Sequence, residues 1–159
     1  MEKQHALQQL EQLQKKLYAI HYACSAMNLD ADTVAPKNTS EGRGVALGVL
    51  AGEEQQLMIC PETRALLDEL DRHKDELDLL HRREVEELRR RCDQLTRIPA
   101  EEYIAYSELV NKAGDVWHKA KEKDDFAMFC PLLQELVEYN RKFAAYYDST
   151  RAPYDALLN

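Results

Sequence analysis

The apolar residues of this 159-residue chain recur at intervals of three and four, and hardly ever at two. That periodicity restricts the chain to helices, because a half-buried strand needs alternation. Leu7, Leu10, Leu13, Leu17, Ile20, Cys24 and Met27 form one stripe and predict a first helix of about two dozen residues. Turn and cap formers stop it between Asn28 and Ser40, where Pro36 pushes Ala35 out of helical space. Thr39 or Ser40 then caps a second helix running to about Leu57. Gly44, Gly48 and Gly52 lie four apart on one face of that helix. Glycine weakens a helix by about 1 kcal/mol per residue, so their use implies close approach of a neighbouring backbone.

Pro61 opens a third helix with Leu66, Leu67 and Leu70 on its buried edge. A long charged helix is predicted from about Lys74 to Arg97, seamed by Leu77, His81, Val85, Leu88, Cys92 and Leu95. Pro99 with Glu101 and Glu102 starts the next, with Tyr103, Tyr106, Val110, Ala113, Trp117 and Ala120 as its expected stripe. Asp124 or Asp125 caps the last long helix, which places Pro131 in or near its first turn and turns Leu132, Leu136, Tyr139 and Phe143 inward. The fold class is all-α, an array or bundle of five to six helices in a single helical domain, 1–159. The Cys60-Pro61 and Cys130-Pro131 pairs suggest a tetratricopeptide-like period, but the residues between them do not repeat.

Charge narrows the partners. The net charge is -8, which argues against nucleic acid. The run Arg82, Arg83, Arg89, Arg90 and Arg91 is interleaved with Glu84, Glu86 and Glu87, the pattern of a solvated helix face with local ion pairs. The N-terminus carries no secretory signal, and no apolar run approaches the ~20 residues that span a bilayer. The expected compartment is the cytoplasm, with Cys24, Cys60, Cys92 and Cys130 as free thiols at or near helix ends. No CxxC pair exists for structural zinc.

Hydrolytic zinc on a helix needs two histidines one turn apart and a glutamate beside the bound water. His5, His21, His73, His81 and His118 are followed by Ala, Tyr, Lys, Arg and Lys, so the His-Glu dipeptide of HExxH is missing. Asp78 with His81, and Asp115 with His118, have the i,i+3 spacing of a di-metal carboxylate bundle, although such sites favour Glu and need further inward carboxylates. A bundle-core or helix-edge His is the favoured reading. His21 and Cys24 also lie one turn apart, and a packed cysteine is favoured there over a nucleophile. Bottom-up, the residues specify a helical scaffold without a catalytic, cofactor or metal site.

One set of segments points further. Leu29-Asp30-Ala31-Asp32-Thr33-Val34-Ala35-Pro36 followed by Glu41-Gly42-Arg43 resembles the start of the carboxypeptidase Taq family of metallocarboxypeptidases. The match continues in Ile98-Pro99-Ala100-Glu101-Glu102-Tyr103, then in Val116-Trp117-His118-Lys119-Ala120-Lys121. It closes with Phe129-Cys130-Pro131-Leu132-Leu133 and Pro153-Tyr154-Asp155-Ala156-Leu157-Leu158. Leu29 stands where the family usually has Trp, and Ala35 where it has Met; these departures also suit the neighbouring oligoendopeptidase F group. The resemblance implies the N-terminal helical region of a zincin-type peptidase, a wall or lid of a deep substrate groove. Zinc or cobalt is implied for the full-length enzyme only, as is a peptide substrate, since the HExxH helix comes later in the family. The positions carried over are structural: Asp30, Thr33, Pro36, Arg43, Trp117, Pro131, Tyr154 and Asp155. The chain alone is expected to be inactive, a truncated piece whose partner is the missing catalytic half or another copy of itself. The alternative is a free-standing helical interaction module. Arg43 is expected to pair with an acid such as Asp30 or Asp32.

Overall fold

The computed structural model describes residues 3–36 and 38–158. Seven α-helices appear among them: α1 (Lys3–Thr33), α2 (Ser40–Ile59), α3 (Pro61–Arg72), α4 (Leu79–Arg97), α5 (Ala100–Glu122), α6 (Phe126–Tyr147) and the short α7 (Pro153–Leu157). No strand occurs among the described residues. Helix α1 is longer than its apolar stripe alone suggests, because Asn28 to Thr33 continue the helix instead of breaking it. The expected helix from Lys74 is also corrected. A short 3-10 turn at Lys74–Glu76 precedes α4, and Asp78 separates the two by accepting the backbone N–H of His81 at 2.9 Å. Its carboxylate satisfies a donor that a helix start leaves without an intrahelical partner.

The chain divides into two compact units, one of Met1–Ser25 with Glu53–Thr96 and the other of Ala26–Gly52 with Arg97–Asn159. In the first, Leu10, Leu13, Leu17, Met58, Leu66, Leu67, Leu70, Val85, Cys92 and Leu95 are buried. Gln55 is wholly buried among them and donates its amide to the Leu95 carbonyl at 3.2 Å. Where α2 gives way to α3, Pro61 occupies the first turn and the Thr63 hydroxyl donates to the Leu57 carbonyl at 2.7 Å. The hydroxyl thereby takes up a carbonyl that the end of α2 would otherwise leave unsatisfied. The arginine run behaves as a charged face in part: Arg83 pairs with Glu86 and Arg90 with Glu87, each within one turn. Arg89 instead reaches Asp68 on α3 at 2.7 Å.

The second unit is organised around an antiparallel α5–α6 pair. Leu109, Ala113 and Leu132 are its buried centre, with Val116, Phe129, Leu136 and Tyr139 packed on them. Tyr106, Tyr139 and Phe143 form a three-ring cluster with centroids 5.2 to 5.9 Å apart. The connection is tight because Asp124 adopts a left-handed conformation (φ 52), which lets the Asp125 N–H reach back to the Ala120 carbonyl at 2.9 Å. Asp tolerates that backbone better than most residues. The Asp125 side chain then accepts the Met128 N–H at 3.2 Å and caps α6. Pro131 is the sixth residue of α6, just past its first turn.

The stripe of α5 differs from the sequence expectation in part. Ala113 and Ala120 are buried as expected, but Val110 and Trp117 are 46% and 42% exposed, and Leu109 is buried instead. Both readings fit the 3.6 period, and α6 packs on Leu109 and Val116 in place of Val110 and Trp117.

The glycine face of α2 does meet a neighbour. A Cβ at Gly48 would come within 3.0 Å of Cγ of Glu108, at Gly52 within 3.0 Å of Cδ1 of Ile104, and at Gly44 within 3.0 Å of Nδ2 of Asn111. All three partners lie on α5. Replacing Gly48 by Leu is therefore expected to destabilise the chain by about 1–3 kcal/mol through overpacking. Gly114→Ala, where a Cβ would meet nothing within 4 Å, should stabilise it by up to about 1 kcal/mol. Urea unfolding followed by circular dichroism measures both.

The far end of the α5–α6 pair is closed by charge. Lys142 pairs with Glu102 at 2.7 Å and the Tyr146 hydroxyl donates to the same carboxylate at 3.1 Å. The Lys142 hydrogen bond, aided by Tyr146, holds the Glu102 carboxyl below its ordinary range. A depressed carboxyl contributes stability above its unfolded pKa and loses it as pH falls through the folded value. Acid unfolding of Glu102→Gln should therefore show a shallower loss of stability below about pH 4.5 than the parent chain. Equal slopes for the two proteins would refute the linkage.

Candidate functional site

Each unit holds a polar cluster built around a largely buried charged side chain, Arg43 in one and Glu54 in the other. In the second unit, Arg43 on α2 is the centre. Its Nε donates to Oδ1 of Asn111 at 2.8 Å and its Nη2 to Oδ1 of Asp115 at 2.7 Å. The side chain is only 10% exposed, so the ion pair stands largely out of water and is not of the weak surface kind. Asn111 also donates from Nδ2 to the Ser40 carbonyl at 3.0 Å. One amide side chain thus joins the first turn of α2 to the middle of α5. Arg43 does pair with an acid, but the expectation of Asp30 or Asp32 is corrected. Helix α5 presents Asn111 and Asp115 one turn apart to the guanidinium, whereas the α1–α2 loop directs its groups elsewhere.

In that loop, the main-chain carbonyl of Asp30 accepts the N–H groups of Val34 and Ala35 at 3.0 and 2.8 Å. The Thr33 hydroxyl donates back to the Leu29 carbonyl at 2.5 Å, and the Pro36 carbonyl accepts the Thr39 hydroxyl at 2.9 Å. Asn38 takes the left-handed conformation (φ 69) that completes the turn. A cavity of about 440 Å³ opens beside this loop, lined by Asp32, Thr39, Arg43, Asp115, His118 and Glu122, among others. Nε2 of His118 lies 3.5 Å from Oδ1 of Asp32. Next to it, Trp117 receives the Lys121 ammonium 4.9 Å from its ring centre.

In the first unit, Oε1 of the buried Glu54 lies 2.8 Å from Nε2 of His21 and accepts Nη2 of Arg91. This cluster escaped the sequence reading, since a glutamate in the Glu53-Glu54 pair carries no mark of burial. Cys24, one turn from His21, has its thiol pushed up by burial and further by the Glu54 charge. That is the opposite of what a nucleophile needs. The four cysteines are free; Cys60 and Cys130 lie at or near helix ends, whereas Cys24 and Cys92 lie well inside α1 and α4.

The metal-like spacings resolve into other bonds. Asp78 and His81 bond one another at 2.8 Å on the surface, and the backbone N–H of His81 holds the Asp78 carboxyl low. Asp115 belongs to Arg43. Among the described residues no group of three His, Cys, Asp or Glu could hold a metal ion. The residues present therefore do not fit zinc or cobalt. The remaining motif positions are dispersed: Tyr154 is 72% exposed on α7, Asp155 follows it, and Pro131 lies within α6. No helix among the described residues is long and apolar enough to cross a membrane.

Comparison with known proteins matches residues 9–159 to the model of the carboxypeptidase Taq (M32) metallopeptidases. Carboxypeptidase 1 of Bacillus subtilis (strain 168) is 36% identical over 141 residues, 87% of this chain but 28% of the relative. The crystal structure of BsuCP superposes with a TM-score of 0.91 at 32% identity, covering 97% of this chain and 31% of that one. Trypanosoma cruzi metallocarboxypeptidase 1 gives a TM-score of 0.71 at 30% identity, over 96% and 31% of the two chains. This chain thus spans less than a third of the relatives that it matches.

Replacing Arg43 by Met should cost about 1–3 kcal/mol, since it leaves the Asp115 carboxylate without its partner. Arg43→Lys should recover only part, because an ammonium cannot bridge an amide and a carboxylate in one plane. Chemical denaturation of the three proteins checks the order.

Proposed function

The chain belongs to the carboxypeptidase Taq (M32) family of metallopeptidases, and from that premise we propose that it forms the N-terminal helical region of a zinc-dependent carboxypeptidase-like enzyme. In this reading residues 1–159 act as one domain, a wall or lid of a groove that holds a peptide. The observation that carries it is the TM-score of 0.91 over 97% of this chain, reached within 31% of a carboxypeptidase-sized partner. The zinc or cobalt ligands and the general base belong to the remainder of such an enzyme, which supplies metal-bound water for peptide hydrolysis. The part played here by Arg43, Asn111 and Asp115 is to hold α2 on α5, and so to fix the shape of the wall. The partner proposed for this region is the catalytic remainder of an M32 chain, in the cytoplasm, with self-association as the competing route to covering its apolar surface.

Alone, the chain is proposed to be inactive, because it lacks the His-Glu pair of HExxH. The purified chain, supplied with zinc or cobalt, is expected to release no C-terminal amino acid from a test peptide. Release that a chelator abolishes would overturn the proposal.

A further inference from the structure

The first eight residues of α6, Phe126 to Leu133, are all apolar. A helix that is apolar all round is a buried helix, yet only one side of this stretch is covered. Phe129, Leu132, Leu136 and Tyr139 form the row against α5. One residue further round lie Cys130, Leu133 and Val137, with Phe126 a turn earlier, and all four are exposed. Helix α5 repeats the arrangement. Leu109, Ala113 and Val116 face α6, and the row one residue further on is Val110, Gly114 and Trp117. One residue is about 100° of helix. In an antiparallel pair, the same rotation from the contact line brings both rows to the same side. The α5–α6 hairpin therefore presents two adjacent apolar rows on one face, bounded at the Trp117 end by the Lys121 ammonium over its ring. Gly114 leaves a shallow notch between Val110 and Trp117, where a Cβ would meet nothing within 4 Å.

We propose that this face docks the catalytic remainder of an M32 peptidase chain, an inference that rests on the function proposed above. One observation favours that occupant over a second copy of this chain. The relatives carry this region as 28% to 31% of a longer chain, so most of such an enzyme lies outside it and must be held to it. The Trp117 ring is the rigid aromatic anchor of that contact.

Cys130 lies in the exposed row and reports on its covering. The test joins this chain to the part of Bacillus subtilis carboxypeptidase 1 that it does not match, and compares iodoacetamide labelling of Cys130 by peptide mass spectrometry. Labelling is expected to slow at least tenfold in the joined protein relative to the chain alone. Leu133→Glu should leave the melting of the isolated chain unchanged and lower the yield of soluble joined protein several-fold. A joined protein that hydrolyses peptides while Cys130 labels at the isolated rate would overturn the docking face and leave the functional reading standing. A soluble joined protein without peptidase activity would overturn that reading itself. An isolated chain that sediments as a dimer with Cys130 protected would make a second copy the occupant, against the proposal.

Discussion

The arrangement of the second unit depends on how closely α2 can approach α5. Three glycines at four-residue spacing remove the side chains that would hold the helices apart, and Glu108, Ile104 and Asn111 fill the space directly above them. Only at that separation can the Arg43 guanidinium, itself on α2, reach both Asn111 and Asp115 in one plane. The apolar contact brings the helices together without choosing a register. The charged fork chooses it, since a slip by one turn would bury an arginine away from its carboxylate. Breaking one member of such a pair costs more than the pair contributes, so specificity of alignment is the better account of its presence.

Much of this was legible in the chain. Proline marked the starts of α3 and α5, because its fixed φ suits a first turn and its missing N–H costs nothing there; the short α7 was not foreseen. Asp125 announced the cap of α6, and the spacing of Gly44, Gly48 and Gly52 announced a close neighbour. What remained hidden was pairwise. Val110 and Trp117 fit the period of α5 as well as Leu109 and Val116 do, and only the presence of α6 decides between the two rows. Periodicity fixes the angle between residues on one helix and says nothing about where its neighbour stands. The same limit explains Arg43: the sequence shows a guanidinium near acids, and tertiary packing selects Asp115 over the nearer Asp30 and Asp32. Helix α4 was misjudged at its start because a single aspartate, Asp78, breaks a charged run by capping.

The histidines illustrate how weakly spacing alone speaks of chemistry. His81 has a carboxylate three residues before it, the step used by metal-binding bundles, yet that carboxylate is engaged by the backbone of the same turn. His118 has another at the same step, and Arg43 occupies it. A metal ion would have to compete with a cap in one case and with a largely buried arginine in the other. In each, the spacing reflects the ordinary i,i+3 geometry of a helix surface, which serves capping and ion pairing as readily as coordination.

Family membership and the lack of a catalytic dyad in this sequence are compatible once the work of a peptidase is divided. Hydrolysis needs a few groups placed within a fraction of an ångström, whereas a groove wall needs rigidity over tens of residues. Several polar residues of this chain tie one helix to another. Glu54 ties α1 and α4 through His21 and Arg91, Arg43 locks α2 to α5, and Glu102 closes the end of α5 on α6. Each is a carboxylate or guanidinium bound to partners on other helices, an arrangement that resists sliding of one helix along another. The Lys142 hydrogen bond holds the Glu102 carboxyl low and burial pushes the Cys24 thiol up, each away from the range that suits a general acid or base. Polar side chains thus join helices to one another, while apolar rows are left on the outside of α5 and α6.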